Sequence, residues 1–299
     1  MITEVQRQQR QRFIGASDAA AAIGINPYKT PVDLYFEKIG QAEPFAGNER
    51  TYWGNMLEQP VANRLAEETG FKLRKHGQTL IAKDYPFMAC HLDFKVTGQP
   101  IVVEIKTGGF FTRKDWGPSG GDEIPDQYLV QVHHQMICAG YDKALVGVLL
   151  GGQEFRHYEI KFDKDLAQLI IEKEAEFWEH VTTRTPPPAT TLEDIASLYP
   201  IDTGSSIEAT AEIVEIVEQL KAAKAESAEQ KSKTDALELQ LKTFMADNST
   251  LIGLDGKPLA TWKTQTTNRI DTTGLKLDAP EVAAKFTKAT ESRVLRIKG

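Results

Sequence analysis

The chain has 299 residues, 41% of them hydrophobic and 26% charged, which suits one substantial core plus an extension. A formal charge of −7 excludes a uniformly basic nucleic-acid coat but allows a local positive channel. The only cysteines, Cys90 and Cys138, are too few for a four-cysteine zinc or iron–sulfur centre and suit a reducing cytoplasm, and no leader pattern or spanning apolar run points to a membrane.

Near the start, Arg7, Arg10 and Arg12 lead into Phe13-Ile-Gly-Ala-Ser17-Asp18 and the four alanines Ala19 to Ala22. Ser17 or Asp18 is expected to cap a short helix there, and arginine donors beside a serine hydroxyl suit a phosphate. Tyr52 to Pro60 then leads into an amphipathic helix from Val61 to Gly70, with Glu58 near its start. Arg74, Lys75 and His76 form a basic strip of weak specificity.

The densest chemistry lies in His91-Leu-Asp93-Phe-Lys-Val-Thr-Gly-Gln-Pro-Ile-Val-Val-Glu104-Ile-Lys106. Apolar alternation on both sides of Gly98-Gln99-Pro100 predicts a hairpin. Glu104 and Lys106 then share one strand face, Ile105 points into a core on the other, and Asp93 approaches from the preceding strand. Hard cations favour such oxygen donors, and the Ile105 backbone carbonyl could join Asp93 and Glu104 around one. Lys106, with no acceptor of its own, would orient a water or stabilise charge on a phosphoryl group. The bland reading of these residues is an ordinary hairpin with a solvated Glu–Lys pair. His91, close to Asp93, is an auxiliary candidate.

Thr107 to Gly121 reads as a glycine- and proline-rich loop. Its Phe110, Phe111, Arg113, Lys114 and Trp116 either meet nucleic acid by stacking and phosphate contacts or anchor the loop to the surface. Ile124 to Gly140 reads as a helix with Tyr128, Gln131, Gln135 and Cys138 in one band, Gln131 being placed to bond a water, phosphate or carboxylate. His133 and His134 face different directions on it and make poor joint metal ligands. Strands around Tyr141–Leu150 and Phe155–Phe162 and a helix over Leu166–Val181 follow; Gly151-Gly152 has no Walker-type lysine, so ATP binding is not supported.

Domain boundaries are expected at 1–185 for a catalytic domain, 186–206 for a connector, 207–246 for one long helix or a helical hairpin, and 247–299 for a small basic element. In the helical stretch, Ile213, Ile216, Val217 and Leu220, then Leu237, Leu241 and Phe244, form separated apolar stripes, as in a coiled-coil arm or a helix packed on the core. A hairpin around Gly253–Gly256 and a last helix over Ala279–Ala289 complete the expected α+β tail, which suits DNA or a protein partner.

The ordered array of Ile14-Gly-Ala-Ser-Asp18, Glu58, Asp93, Glu104-Ile-Lys106 and Tyr128-x-x-Gln131 resembles the YqaJ-type viral recombinase nucleases, related to phage lambda exonuclease within the PD-(D/E)XK nuclease superfamily. The likeness covers roughly the first three-fifths of the chain. It implies an α/β, restriction-endonuclease-like core with a central mixed β-sheet flanked by helices. It also implies a metal role for Asp93 and Glu104, with Glu58 as an added acidic group, a catalytic role for Lys106, and a supporting role for Gln131 beside Tyr128. An arginine, either Arg10 or Arg12, and Ser17 would contact a terminal 5′-phosphate. The resemblance further implies Mg2+, with Mn2+ substituting and two ions acting in catalysis, and 5′-to-3′ digestion of double-stranded DNA ends. The exposed 3′ strand would pass to a single-strand annealing protein, and the enzyme would form a ring-shaped homotrimer of phage or prophage origin. The alternatives are a structure-selective or nicking endonuclease and a non-catalytic DNA-binding scaffold.

Overall fold

A strand whose residues are apolar on both faces needs cover on both sides. That strand is β6 (Ile101–Gly108), the middle of a five-stranded sheet in a computed structural model that describes residues 10–43 and 45–298, so the basic residue Arg7 lies outside the described residues. The sheet order is β2 (Leu73–Lys75), β5 (Phe94–Val96), β6, β7 (Lys143–Leu150) and β8 (Glu154–Lys161). β6 and β7 are parallel and every other neighbouring pair is antiparallel, giving the expected mixed sheet. The β5–β6 hairpin turns where it was expected, with Gly98 at φ 78°, a conformation glycine adopts without steric cost. A smaller sheet joins β1 (Ile14–Gly15) in parallel to β4 (Met88–Cys90), which pairs antiparallel with β3 (Leu80–Ile81).

Five helices belong to this sheet: α1 (Ala16–Ala22), α2 (Pro31–Lys38), α3 (Glu49–Thr69), α4 (Asp126–Ala139) and α5 (Lys164–Thr183). Val61, Ala62 and Leu65 of α3 pack on Val103, Ile105 and Leu145. The opposite face, Val102, Val146 and Val148, packs with Ala19 and Ala20 of α1, Val132 and Met136 of α4 and Ile170 of α5. α4 is the crossover between the two parallel strands, so its inward face meets the side of β6 that carries Glu104 and Lys106.

Several local expectations are corrected. α3 begins at Glu49 rather than Val61, because Asn48 and Thr51 form a reciprocal capping box, and it runs through Pro60 to a left-handed Gly70. Glu58 is therefore well inside the helix. Neither Ser17 nor Asp18 caps α1: Gly15 holds that position without a side-chain bond. Asp18 is instead buried against Lys38 at 2.8 Å, with Arg10 at 3.5 Å and Lys29 at 3.6 Å. Burial opposes its charge, but these cations hold its carboxyl well below the usual range. The loop after β6 contains a 3₁₀ turn over Phe110–Asp115.

The chain divides into two compact units, the first ending at Leu198 and the second beginning at Tyr199. Within the stretch read as a connector, α6 (Leu192–Leu198) is tied to the first unit by Asp194, which accepts the Thr30 hydroxyl at 2.6 Å. In the second unit, α7 (Ala211–Met245) is a single helix and not a hairpin. β9 (Thr250–Ile252) and β10 (Pro258–Thr261) pair antiparallel around the expected turn. The expected last helix is present as α9 (Pro280–Phe286), with Pro280 at its first position, and a short helix that was not expected, α8 (Thr272–Asp278), precedes it.

Candidate active site

The β5–β6 ladder stops at the pair Phe94 and Val103, so the next inward-turned amide of β6 is free to take a side chain. Asp93, in the bend before β5, uses it: Oδ2 accepts the Ile105 N–H at 2.9 Å. Two residues along the same face of β6, Lys106 Nζ donates to Glu104 Oε1 at 2.5 Å and to Gln131 Oε1 of α4 at 3.0 Å. Gln131 returns a bond from Nε2 to Glu104 Oε1 at 2.6 Å. The other oxygen of Glu104 accepts from Gln135 Nε2, also at 2.6 Å. Glu104 is thus 3% exposed and held by three donors from two elements.

Asp93, Glu104, Lys106, Tyr128 and Glu58 line one open cavity of about 400 Å³, joined by Arg50 and Asn55 of α3. A larger hollow of about 670 Å³ around Tyr85, Tyr141 and Phe162 is mostly apolar and shares no lining residue with it. Glu58 faces Lys75 Nζ at 3.1 Å, and Lys106 Nζ lies 5.0 Å from the Tyr128 ring centroid.

Burial, reinforced by the charges of Glu104 and Glu58, pushes the Asp93 carboxyl up to about 7 against the pull of the Ile105 N–H and Lys106. Burial works against the Lys106 ammonium, yet Glu104 and Asp93 more than offset it and its pKa rises. Lys106 is therefore a fixed cation here, a hydrogen-bond donor rather than a proton acceptor. The donor chemistry fits a hard divalent ion: Asp93, Glu104 and Glu58 would hold it through oxygen. Among the described residues no three His, Cys, Asp or Glu side chains already stand as a ligand cluster. The ammonium groups of Lys75 and Lys106 lie against Glu58 and Glu104 instead.

The other expected contacts divide. Arg10 Nη2 reaches Ser17 Oγ at 3.3 Å, whereas Arg12 is exposed. Arg113 lies over the Phe110 ring at 4.9 Å and 3.6 Å from Glu154, and Lys114 is exposed. Trp116, open between a nucleic-acid contact and a loop anchor, is buried as an anchor, stacked on Tyr128 at 5.4 Å and against Tyr158 at 5.5 Å. It buttresses the tyrosine under Lys106. His91 is exposed, bonds Thr79 at 2.9 Å and does not line the cavity, because it precedes the bend that turns Asp93 inward. His133 and His134 bond different partners, Leu129 and Glu174.

Three residues of the cavity region escaped the sequence reading of the site. Gln135 lies one turn beyond Gln131 on the inward face, and that i, i+4 spacing was its signal. Lys75 sat in a basic strip with no visible target, and Arg50 follows the Asn48 cap by two residues.

The YqaJ-like viral recombinase domain matches residues 7–142. The uncharacterized protein YqaJ of Bacillus subtilis strain 168 is 33% identical, across 97% of this chain and 92% of that protein. The chain belongs to the YqaJ family. A solved alkaline exonuclease, LHK-Exo from Laribacter hongkongensis, aligns with this YqaJ-family protein at a TM-score of 0.50 and 18% identity, covering 61% of this chain and 94% of that one. That likeness is one of fold: the first unit's mixed sheet and flanking helices have the restriction-endonuclease-like arrangement.

Proposed function

We propose that this YqaJ-family protein is a Mg2+-dependent deoxyribonuclease that digests duplex DNA from its ends in the 5′-to-3′ direction, leaving 3′ single strands for an annealing protein in recombination. The observation that carries the reading is the convergence of Asp93, Glu104 and Lys106 on one cavity, with Gln131 behind them bonded to both Glu104 and Lys106. The viral recombinase family and the exonuclease identity of a fold relative support DNA as the substrate and ends as the place of attack. A bound divalent ion would neutralise phosphate oxygens and acidify the attacking water.

The protein's own groups have separable tasks. The Ile105 N–H fixes Asp93, while the amides of Gln131 and Gln135 and the ammonium of Lys106 hold the Glu104 carboxyl in place. Lys106 offers a positive charge to the phosphoryl oxygens as negative charge develops there. The Arg10–Ser17 pair supplies donors for a terminal 5′-phosphate.

End-labelled linear, nicked and covalently closed duplexes, incubated with Mg2+, test this reading. Loss of label from linear DNA with closed circles untouched is expected; cutting of closed circles would favour a nicking endonuclease. Equal processing of 5′-phosphate and 5′-hydroxyl ends would remove the terminal-phosphate role of Arg10 and Ser17.

A further inference from the structure

Charged residues crowd α7, yet a track of positions from Ile213 to Phe244, spaced alternately by three and four residues, carries none. Its large members are Ile213, Ile216 and Leu220 at one end and Leu237, Leu241 and Phe244 at the other. Five of these six are between 40% and 75% exposed, and Leu220 is half-buried. An average step of 3.5 residues drifts around a straight helix and stays on one side only when the helix winds about another of its kind. The period therefore selects a helical partner over a flat sheet surface.

The charges beside the track choose which helix and which direction. In a parallel, in-register pair, the residue before each first seam position faces the residue five places later on the other helix. For two copies of α7 this sets Glu226 against Lys231 and Lys233 against Glu238, both attractive. An antiparallel pair with its apolar ends overlapped would set Lys224 against Lys231, offsetting the attraction of Glu226 for Lys233, whereas the parallel pair has no such repulsion. In the structure Lys231 bonds Asp235 at 3.0 Å, Lys233 bonds Glu229 at 2.7 Å and Glu238 bonds Lys242 at 2.6 Å. These are exposed pairs of a kind worth little, so exchanging them for contacts between copies costs little. The centre of the track is small or polar: Ser227, Gln230 and Thr234. In register, Gln230 meets Gln230 of the second copy and the amides can bond; a shift of one heptad would bury Gln230 against Leu237.

We propose that α7 docks on α7 of a second copy of this chain as a parallel, in-register coiled coil. At 1.5 Å per residue the seam runs for about 50 Å. The full-length protein tests it with single substitutions Leu220→Cys and Leu237→Cys on the seam and Ala225→Cys on the opposite face, mildly oxidised and resolved without reductant. Cys90 and Cys138 are buried, and the unsubstituted chain serves as the control. Each seam variant is expected to crosslink to itself at least about tenfold more than Ala225→Cys, since disulfide geometry demands close Cβ atoms. Crosslinking only when the two seam variants are mixed would mean an antiparallel pair and overturn the proposal. A single-chain mass of 33.3 kDa in light scattering would overturn it as well.

Discussion

Replacing Asp93 with Asn should inactivate the protein and at the same time make it more stable at alkaline pH in the absence of divalent ions. The folded chain raises this carboxyl from 3.8 to about 7. Below pH 3.8 the folded and unfolded states both hold the proton and the group contributes nothing. Between 3.8 and 7 the folded state retains a proton that the unfolded state releases, so wild-type stability falls as pH rises. Above 7 the cost is constant. At 1.36 kcal/mol per pH unit the interval is worth about 4 kcal/mol, a ceiling because water at the cavity mouth screens part of it. Asn keeps an acceptor for the Ile105 N–H and carries no charge to repel Glu104. Urea unfolding in EDTA should therefore show the two proteins nearly level at pH 4 and Asp93→Asn ahead by up to about 4 kcal/mol at pH 8, with Mg2+ then stabilising only the wild type. An Asp93→Asn protein that unfolds more easily than wild type at pH 8 in EDTA would refute the reasoning, because a carboxylate kept for structure behaves that way.

Lys106→Met should lower kcat on end-labelled duplex roughly 10²- to 10³-fold while circular dichroism is unchanged; a loss under about threefold would remove the charge-stabilising role. Gln135→Met removes one bond to a buried carboxylate, worth about 1.5–3 kcal/mol. Calorimetric Mn2+ binding should weaken by about tenfold or more, and unaltered affinity would show that Glu104 needs only Gln131 and Lys106. Glu174→Ala leaves His134 buried without its partner at 2.8 Å and should cost about 3–5 kcal/mol in urea, with Glu174→Gln recovering part of it. His134 Nε2 already donates to the Ala89 carbonyl, so its contact with Glu174 holds one shared proton, and this stabilisation should shrink as pH rises above 6.5. Trp116→Ala should cost about 3–5 kcal/mol with DNA affinity of the folded fraction retained, whereas Lys114→Ala should leave stability alone and reduce the salt dependence of DNA binding.

The parts of this protein that were legible in its amino acids are those governed by local periodicity. Two-residue alternation placed Glu104 and Lys106 on one face and Ile105 on the other, and glycine in the turn set the hairpin that brings Asp93 to Ile105. Helical spacing placed Gln131 on an inward face. What was left open or misread depends on neighbours distant in sequence. A tryptophan between glycines and prolines reads as a nucleic-acid contact or as an anchor, and only Tyr128 and Tyr158, arriving from α4 and β8, decide for the anchor. Asp18 looked like a cap because nothing nearby announced Lys38 as its partner. The start of α3 was obscured by Gly54 and Pro60, both poor helix formers, although Asn48-x-x-Thr51 carried the stronger signal.

Pro60 weakens α3 at one point. Having no N–H, it leaves the Met56 carbonyl without its helical bond at the level of Glu58. Of the residues from Glu49 to Pro60, none is fully buried, whereas Val61, Ala62 and Leu65 are locked into the sheet. α3 is thus clamped beyond Pro60 and held more lightly before it, by half-buried Leu57 and the Glu58–Lys75 pair, with the cavity wall on that lighter arm. Of the two arms, the one that carries Arg50 and Asn55 into the cavity wall is therefore the more compliant.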